Sequence, residues 1–142
     1  MSLEGTWYNE LGSEMNLQVA GIEVTGTYQT AVGDAQGIYQ LYGATDSEPT
    51  TPNQAVGFVV AWENEFGSSH SATAWSGQWQ LINGQETITT MWLLTSETDP
   101  TQDWQSTLVG KDVFTRTQPS QAHIEKTARQ SAWSHPTKFT AK

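Results

Sequence analysis

One short segment carries hydroxyl and indole side chains at a spacing that could bind a small polar molecule. Side chains alternate between the two faces of a β-strand, so Ser71, Thr73 and Trp75 share one face, and His70 lies with two alanines on the other. Hydroxyl groups beside an indole offer hydrogen bonds next to an apolar wall, which is the usual composition of a small-molecule site. Taken singly, each of these residues is more often part of an ordinary core or strand surface.

Two other segments bring an aromatic or apolar side chain and polar side chains to one face: Trp7, Asn9 and Leu11 in the first, and Tyr28, Thr30 and Val32 in the second. A buried polar group without a partner costs roughly 1 to 3 kcal/mol by mutational measures. Polar side chains in an otherwise apolar interior therefore need partners, and a ligand could supply them.

The elements that position these residues follow from the pattern around them. Up to about Thr117, apolar residues alternate with polar ones, and clusters of Gly, Asn, Asp, Ser or Pro separate the runs. The predicted strands lie near Gly5 to Leu11, Met15 to Val19, Glu23 to Thr30, Ile38 to Tyr42, Gln54 to Trp62, Ser69 to Leu81, Glu86 to Thr95 and Trp104 to Arg116. Short connections such as Asn83-Gly84 favour hairpins between neighbouring strands. We therefore predict an all-β fold, an eight-stranded antiparallel up-and-down (meander) β-barrel, with a sandwich as the other arrangement.

A change of character after Pro119 divides the chain into two parts. Residues 1–119 are predicted to form the barrel domain, and residues 120–142 a C-terminal tail. Ser120 is an expected N-cap for a short helix from Ala122 to Gln130, followed by a flexible end from Ser131 to Lys142. Within the barrel, the longer connections Ala31 to Gly37 and Thr45 to Asn53 are where binding loops are expected.

Composition excludes several classes of function. The chain has no cysteine, so disulfides, thiolate metal sites and thiol nucleophiles are excluded. The net charge is -9, and all six basic residues lie after position 110, which argues against nucleic acid as a partner. The apolar run from Val56 to Trp62 is far shorter than the ~20 residues of a membrane-spanning helix. His70, His123 and His135 are too scattered to bind a metal, and no cofactor is expected.

Six segments together resemble the avidin and streptavidin family, in the same order and with similar spacing. They are Gly5 to Ser13, Gly26 to Gly33, Ala61-Trp62, His70 to Gln78, Trp92 to Ser96 and Trp104 to Asp112. The resemblance covers roughly Gly5 to Pro119 and implies a streptavidin-like barrel that sequesters biotin with high affinity, without catalysis. Streptavidin is itself a standard example of an eight-stranded barrel that holds one small ligand.

The resemblance also implies a role for each matching position. The expected ligand-binding residues are Asn9, Leu11, Ser13, Tyr28, Thr30, Val32, Asp34, Trp62, Ser71, Thr73, Trp75, Trp92, Leu94, Trp104 and Asp112. Asn9, Ser13 and Tyr28 would donate hydrogen bonds to the ureido oxygen. Thr30 and Asp112 would accept from the ureido N–H groups.

The remaining positions would surround the rest of the ligand. Tryptophans at three positions would form the walls of the pocket, with two aliphatic side chains filling beside the ring: Trp62, Trp75, Trp92, Val32 and Leu94. Thr73 would lie near the ring sulfur. Ser71 and the backbone N–H of Asp34 would meet the valerate carboxylate, and the loop from Val32 to Gly37 would close as a lid.

Trp104 is expected to reach into the pocket of a neighbouring subunit, which implies a homo-oligomer, with a tetramer favoured. At the positions of the implied interface stand Met91, Val109 and Lys111, and a lysine there could repel its symmetry mate. Asp34, where the family has asparagine, would weaken free biotin relative to amide-linked biotin. Thr30 replaces a serine and keeps the hydroxyl.

The resemblance further implies a secreted, extracellular or periplasmic location, although the chain begins Met1-Ser2-Leu3-Glu4 without a signal peptide. In the tail, Ser131 to Pro136 is similar to peptides selected to bind streptavidin. One hypothesis is that Trp133, His135 and Pro136 occupy a pocket of the same or a neighbouring assembly. The other is a disordered end or an appended tag.

Two other classes of function use the same residues differently. A lipocalin-like or lectin-like binder of another small polar ligand would need the same barrel and a hydroxyl-lined pocket. A small glycosidase would need two carboxylates, for which Glu63 and Glu65 share one strand face. Their setting after Trp62 is more simply a solvated turn, so the protein is predicted not to be an enzyme.

Overall fold

Eight strands of the described chain form one closed antiparallel barrel. The computed structural model describes residues 2–31, 37–47, 50–62 and 70–130. The strands are β1 (Gly5–Tyr8), β2 (Glu14–Ala20), β3 (Glu23–Gln29), β4 (Ile38–Thr45), β5 (Gln54–Trp62), β6 (Ser71–Ile82), β7 (Gln85–Ser96) and β8 (Thr107–Thr115). Each strand pairs with the next, and β8 pairs with β1, which confirms the predicted eight-stranded meander barrel.

Three of the predicted strand ends are wrong by three residues. β4 continues to Thr45, beyond its predicted end at Tyr42, and the other two errors concern the seam between β1 and β8. The predicted first strand continues to Leu11, whereas β1 ends at Tyr8, because the Asn9 backbone enters a turn closed by hydrogen bonds to Gly12 and Ser13, each 3.1 Å long. The last strand was expected from Trp104. A 3₁₀ helix, Pro100–Gln105, occupies that position instead.

The 3₁₀ helix has clear local causes. Pro100 lies in its first turn, where a proline loses no hydrogen bond and its fixed φ suits a helix. The Gln102 N–H donates to the carbonyl of Asp99 (2.8 Å), and the Ser106 N–H donates to that of Asp103 (3.0 Å). Trp104 is therefore a helical residue, and 79% of its surface is exposed.

A helix, α1 (Gln121–Gln130), follows the barrel and begins one residue before its predicted start. Ser120 caps it, because its Oγ accepts from the His123 N–H (3.1 Å) and its carbonyl accepts from the Ile124 N–H (2.9 Å). Ile124 packs on the turn after β1, so closely that a Cβ on Gly12 would lie 2.9 Å from its Cδ1. Among the described helices, none is long and apolar enough to cross a membrane.

The barrel interior is filled mainly by aromatic side chains. The tryptophans fully buried in it are Trp7, Trp62, Trp75, Trp79 and Trp92. Strict alternation on the long strands brings them inward, since β6 and β7 pair in a register that sets Trp75 against Trp92. Tyr28 and Phe58 lie against Trp75 at centroid distances of 5.1 and 5.0 Å.

Arg116 closes the end of the barrel near the N-terminus. Its guanidinium lies 3.8 Å from the centroid of the Trp7 ring and pairs with Glu86 at 3.3 Å. It also donates to the backbone carbonyls of Ser2, Glu4 (3.0 Å) and Thr6 (3.3 Å). One side chain from the end of β8 thus holds the first strand and the residues before it.

Candidate functional site

The turn from Asn9 to Ser13 presents the first polar side chain of the site. The Asn9 amide oxygen accepts from the backbone N–H groups of Leu11 (3.0 Å) and Ser13 (2.9 Å). Gly12 has a φ of +87°, a left-handed conformation that favours glycine. Because the turn uses the oxygen of the Asn9 side chain, its NH₂ group is left to face the interior as a donor.

That NH₂ group joins two other elements of the barrel. Asn9 Nδ2 lies 3.3 Å from Asp112 Oδ1 on β8 and 3.4 Å from the hydroxyl of Tyr28 on β3. The other oxygen of Asp112 accepts from Trp75 Nε1 at 2.9 Å. Ser13 lies next to this group, and its Oγ accepts from the Ala31 N–H at 3.1 Å. We call Asn9, Ser13, Tyr28 and Asp112 the polar cluster.

Burial controls the protonation of the cluster. Desolvation raises the pKa of Asp112 well above its usual range, and the charge of Glu10 and a hydrogen bond with it raise it further; the N–H groups of Trp75 and Asn9 oppose this shift. Desolvation likewise raises the pKa of Tyr28 well above its ordinary value, assisted by the charge of Asp112 and opposed by a hydrogen bond from Ser13. Tyr28 therefore keeps its O–H hydrogen.

Tryptophan rings surround the polar cluster. Trp62 meets Tyr28 edge-on at a centroid distance of 5.6 Å and Trp75 at 6.3 Å. Trp62 Nε1 donates to the Thr73 hydroxyl at 2.8 Å. Trp92 is fully buried, and its Nε1 has no hydrogen-bond partner among the described residues. A buried N–H without an acceptor is costly, and a bound polar group could satisfy it.

The chemistry of this interior favours binding. It combines hydroxyl and amide donors with one carboxyl acceptor between aromatic walls, which suits a flat polar molecule with both N–H and C=O groups. In the part of the chain that the structure describes, no group of three or more His, Asp or Glu could hold a metal ion.

Comparison with known proteins assigns the family. A model of the Avidin family matches residues 1–117. This chain belongs to the avidin family. Avidin-related protein 4/5 of Gallus gallus is 40% identical over 122 residues, covering 81% of this chain and 77% of that protein. Avidin of Gallus gallus is 38% identical over 122 residues, and the match covers 81% of this chain and 78% of that avidin.

This avidin-family barrel brings most of the predicted site residues together. Those buried in the interior or in the turn beside it are Asn9, Leu11, Ser13, Tyr28, Trp62, Thr73, Trp75, Trp92, Leu94 and Asp112. Thr30 and Ser71 are half-buried at strand ends. Val32 and Asp34, with the predicted lid, lie outside the described residues, as do Glu63, Glu65 and the tail residues Trp133, His135 and Pro136.

Trp104 is the one described residue of the predicted set that lies away from the interior, in the 3₁₀ helix. Apolar side chains are also exposed on β7 and β8, where Leu93 pairs in register with Val109 and Met91 with Lys111. Met91, Leu93 and Val109 are each more than half exposed in the single avidin-family chain, at 53%, 53% and 55%.

Sequence reasoning missed Glu10. Alternation would turn Glu10 outward if β1 continued beyond Tyr8. Because the chain turns there, the Glu10 carboxylate instead reaches β8, where it accepts from the Val113 N–H at 3.2 and 3.3 Å. The sequence does contain a signal for this turn, in Asn9-Glu10-Leu11-Gly12. An asparagine side chain can accept from the backbone N–H two residues later, and a glycine suits a left-handed turn.

Proposed function

We propose that this avidin-family protein binds biotin inside the barrel and retains it without transforming it. The observation that carries the proposal is the polar cluster, which gathers three side-chain donors and a buried carboxyl among the aromatic walls. A cyclic urea has one carbonyl oxygen and two N–H groups, so it can use the donors and the acceptors of such a cluster together.

The donors would polarise the ureido group. Asn9 Nδ2, the Ser13 hydroxyl and the Tyr28 hydroxyl would converge on its oxygen, as preorganised dipoles do in an oxyanion hole. Without ligand, Asn9 Nδ2 interacts with Asp112 and Tyr28 over 3.3 and 3.4 Å, which are long for hydrogen bonds. Exchanging these long contacts for contacts to a ligand costs little.

The acceptor side and the walls complete the pocket. Asp112 and Thr30 would accept from the two ureido N–H groups, and an ionised Asp112 would be the stronger acceptor. The bicyclic ring would lie between the three tryptophans, beside Leu11 and Leu94. Thr73 would lie near the sulfur, and Ser71 at the mouth, where Val32 and the backbone of Asp34 would belong to the lid.

We further propose that the protein works as a secreted homotetramer. The exposed apolar side chains Met91, Leu93 and Val109 form a surface that a second copy would cover, and Trp104 stands free to enter a neighbouring pocket. Residues 1–119 would form the binding domain. The tail from residue 120 would be able to reach a pocket through Trp133, His135 and Pro136.

Calorimetric titration with biotin at neutral pH tests the proposal. We expect saturation at one biotin per chain and a large rise in the thermal unfolding midpoint. Dethiobiotin, which retains the urea and lacks the sulfur, should bind as well but more weakly. If micromolar protein showed no heat of binding and no thermal shift, biotin binding would be contradicted. The protein would then be a binder of another small polar ligand.

A further inference from the structure

The seam between β1 and β8 is where the backbone ladder of the barrel is least complete. The two strands share one register pair, Tyr8 with Thr115, because the chain turns away after Tyr8. The Val113 N–H lies beyond this pair, and the two oxygens of the Glu10 carboxylate accept from it, at 3.3 and 3.2 Å. A side chain thus takes the place of a β1 carbonyl in this part of the seam.

The same placement brings Glu10 close to Asp112. The Glu10 carboxylate accepts from the N–H of Val113, the residue after Asp112, and Asn9, the residue before Glu10, donates to Asp112 Oδ1 at 3.3 Å. Asp112 is completely buried. On its other side, half-buried Glu10 lines a cleft of about 190 Å³ together with Tyr8 and His123. The Glu10 carboxyl therefore lies between the barrel interior and a cleft at the surface.

Among the described residues, the side chains that face Asp112 include no cation, and His123 of α1 lines the cleft beside Glu10. Glu10 faces Asp112 from the turn, Tyr28 from β3 and the neutral Trp75 from β6. On β7 the opposite residue is Thr90, whose hydroxyl donates to the Asp112 carbonyl at 2.9 Å. A second carboxyl group this close to a buried one, in such surroundings, raises the cost of ionising Asp112.

We propose that Glu10 keeps the proton on Asp112 in the ligand-free protein and thereby sets how strongly Asp112 can accept a hydrogen bond from a ligand N–H. The inference rests on the proposed function, since it concerns the acceptor side of the biotin site. A protonated Asp112 carries a hydrogen where a ureido N–H needs a lone pair, so the ligand selects the ionised form. The proton released by Asp112 then leaves to water in the cleft that Glu10 lines.

The pH dependence has a definite sign. Burial and Glu10 raise the pKa of Asp112 well above its usual range. As the pH falls through that raised pKa, Asp112 takes up the proton, loses its role as acceptor, and biotin dissociates faster. Above the raised pKa the dissociation rate is constant. Glu10 is a positioning residue, because it acts on the ligand through Asp112.

Glu10→Gln separates this role from the role of Glu10 in the seam. Glutamine has the same length, so its Oε1 can accept from the Val113 N–H while its Nε2 donates to Asp112. In this variant Asp112 ionises at lower pH, and the step in the biotin dissociation rate, followed between about pH 4 and about pH 9, moves down by about one pH unit or more. Within the wild-type step, dissociation is then about tenfold slower.

The matched control is Glu14→Gln, which removes the same charge from an exposed side chain at the start of β2. Its pH profile should follow the wild type. Asp112→Asn removes the titrating acceptor, so dissociation should be fast and without the step, and Glu10→Gln should add nothing in that background. A Glu10→Gln profile that coincides with the wild type, or a step that persists in Asp112→Asn, overturns the proposal.

A readout without ligand keeps this test independent of the proposed function. The folded state binds the Asp112 proton more tightly than the unfolded chain does, so this group's contribution to stability declines as the pH rises from the ordinary aspartate range through the raised pKa. The decline of the ligand-free thermal midpoint should be smaller in Glu10→Gln. Equal declines would count against the effect of Glu10 on Asp112, whereas a wild type that does not bind biotin would count only against the proposed function.

Discussion

Tyr28 is the residue at which the polar cluster meets the aromatic walls. Its oxygen lies 3.4 Å from Asn9 Nδ2, and its ring lies 5.1 Å from Trp75 and 5.6 Å from Trp62. Because burial and the charge of Asp112 raise the pKa of Tyr28 well above its ordinary value, the phenol stays neutral at any working pH. Its hydrogen is therefore always available to a ligand oxygen.

Tyr28→Phe should weaken biotin binding about 10- to 100-fold, since it removes one buried hydrogen bond worth about 1 to 3 kcal/mol and preserves the ring. Tyr42→Phe makes the same change on a side chain that is 58% exposed on β4, and it should leave affinity unchanged. Titration calorimetry, with competition where binding is tight, measures both. Equal affinities for the two variants would remove Tyr28 from the set of donors.

For individual residues, the sequence predicted which site residues are buried better than it predicted the contacts that they make. Parity on one strand places Thr73 and Trp75 on a single face, and both are buried there. Parity cannot describe Glu10, because its rule holds only while the strand continues, and β1 ends two residues earlier. The roles of the individual residues toward biotin came from family resemblance and remain predictions.

Among the elements, the turn between β1 and β2 depends on α1. Ile124 packs on Gly12 from outside, while Asn9 organises the turn from inside. The helix follows β8, at the other end of the barrel sequence. The position of the Asn9 amide in the polar cluster is therefore supported by a segment that contributes no side chain to the interior cluster.

Gly12→Ala should destabilise the protein and displace Asn9. The alanine Cβ would lie 2.9 Å from Ile124 Cδ1, at a φ of +87° that costs about 1 to 2 kcal/mol by itself. Gly21→Ala is the matched control, because Gly21 has a φ of +64° and no atom within 4 Å of an added Cβ. We expect Gly12→Ala to cost at least about 1 kcal/mol more than Gly21→Ala in urea denaturation.

Ile124→Ala tests the origin of that difference. Combined with Gly12→Ala, it should recover most of the excess cost, since the smaller side chain leaves room for the added methyl group. A double variant as unstable as the sum of the two single variants would mean that α1 does not press on the turn.

The strands themselves were largely predictable. β5 was predicted and observed from Gln54 to Trp62, because it is a long run with one interior face. The start of β8 was not, since Trp104, Ser106 and Leu108 continue the alternation expected of a strand. Pro100 and the hydrogen bond from Ser106 to Asp103 impose a 3₁₀ helix, and these local effects outweigh the pattern.

On the scale of the whole molecule, Arg116 links the two ends of the barrel sequence. Arg116→Ala should lower the free energy of unfolding by about 2 to 3 kcal/mol, because it removes charge-assisted hydrogen bonds to Glu4 and Thr6 together with the contact over Trp7. Arg116→Lys should recover little, since an ammonium cannot stack and bond in several directions at once. Arg129→Ala, on the exposed face of α1, is the control. Equal midpoints in urea for both alanine variants would contradict this role.

Trp104 provides the test of the proposed tetramer. If a neighbouring pocket receives its indole, Trp104→Ala should speed biotin dissociation by about tenfold or more, as expected for the loss of a buried aromatic contact. Ile22→Ala, which truncates another exposed apolar side chain (53%), should not. Light scattering gives the oligomeric state of both. A tetramer whose dissociation rate is unaffected by Trp104→Ala would show that each pocket is complete within one chain.

The pairing of β8 with β1 also determines at what stage of folding the pocket forms. Asn9 and Asp112 lie 103 residues apart in sequence, and they meet only where β8 closes on β1. Contacts between such distant segments carry a large entropic cost of loop closure, so we expect them to form late in folding. During synthesis the nascent chain can assemble the earlier hairpins as they emerge, but the proposed biotin site would lack its carboxyl acceptor until the last strand arrives. Ligand capture would therefore mark the completed barrel, and a partly folded chain would not compete for biotin.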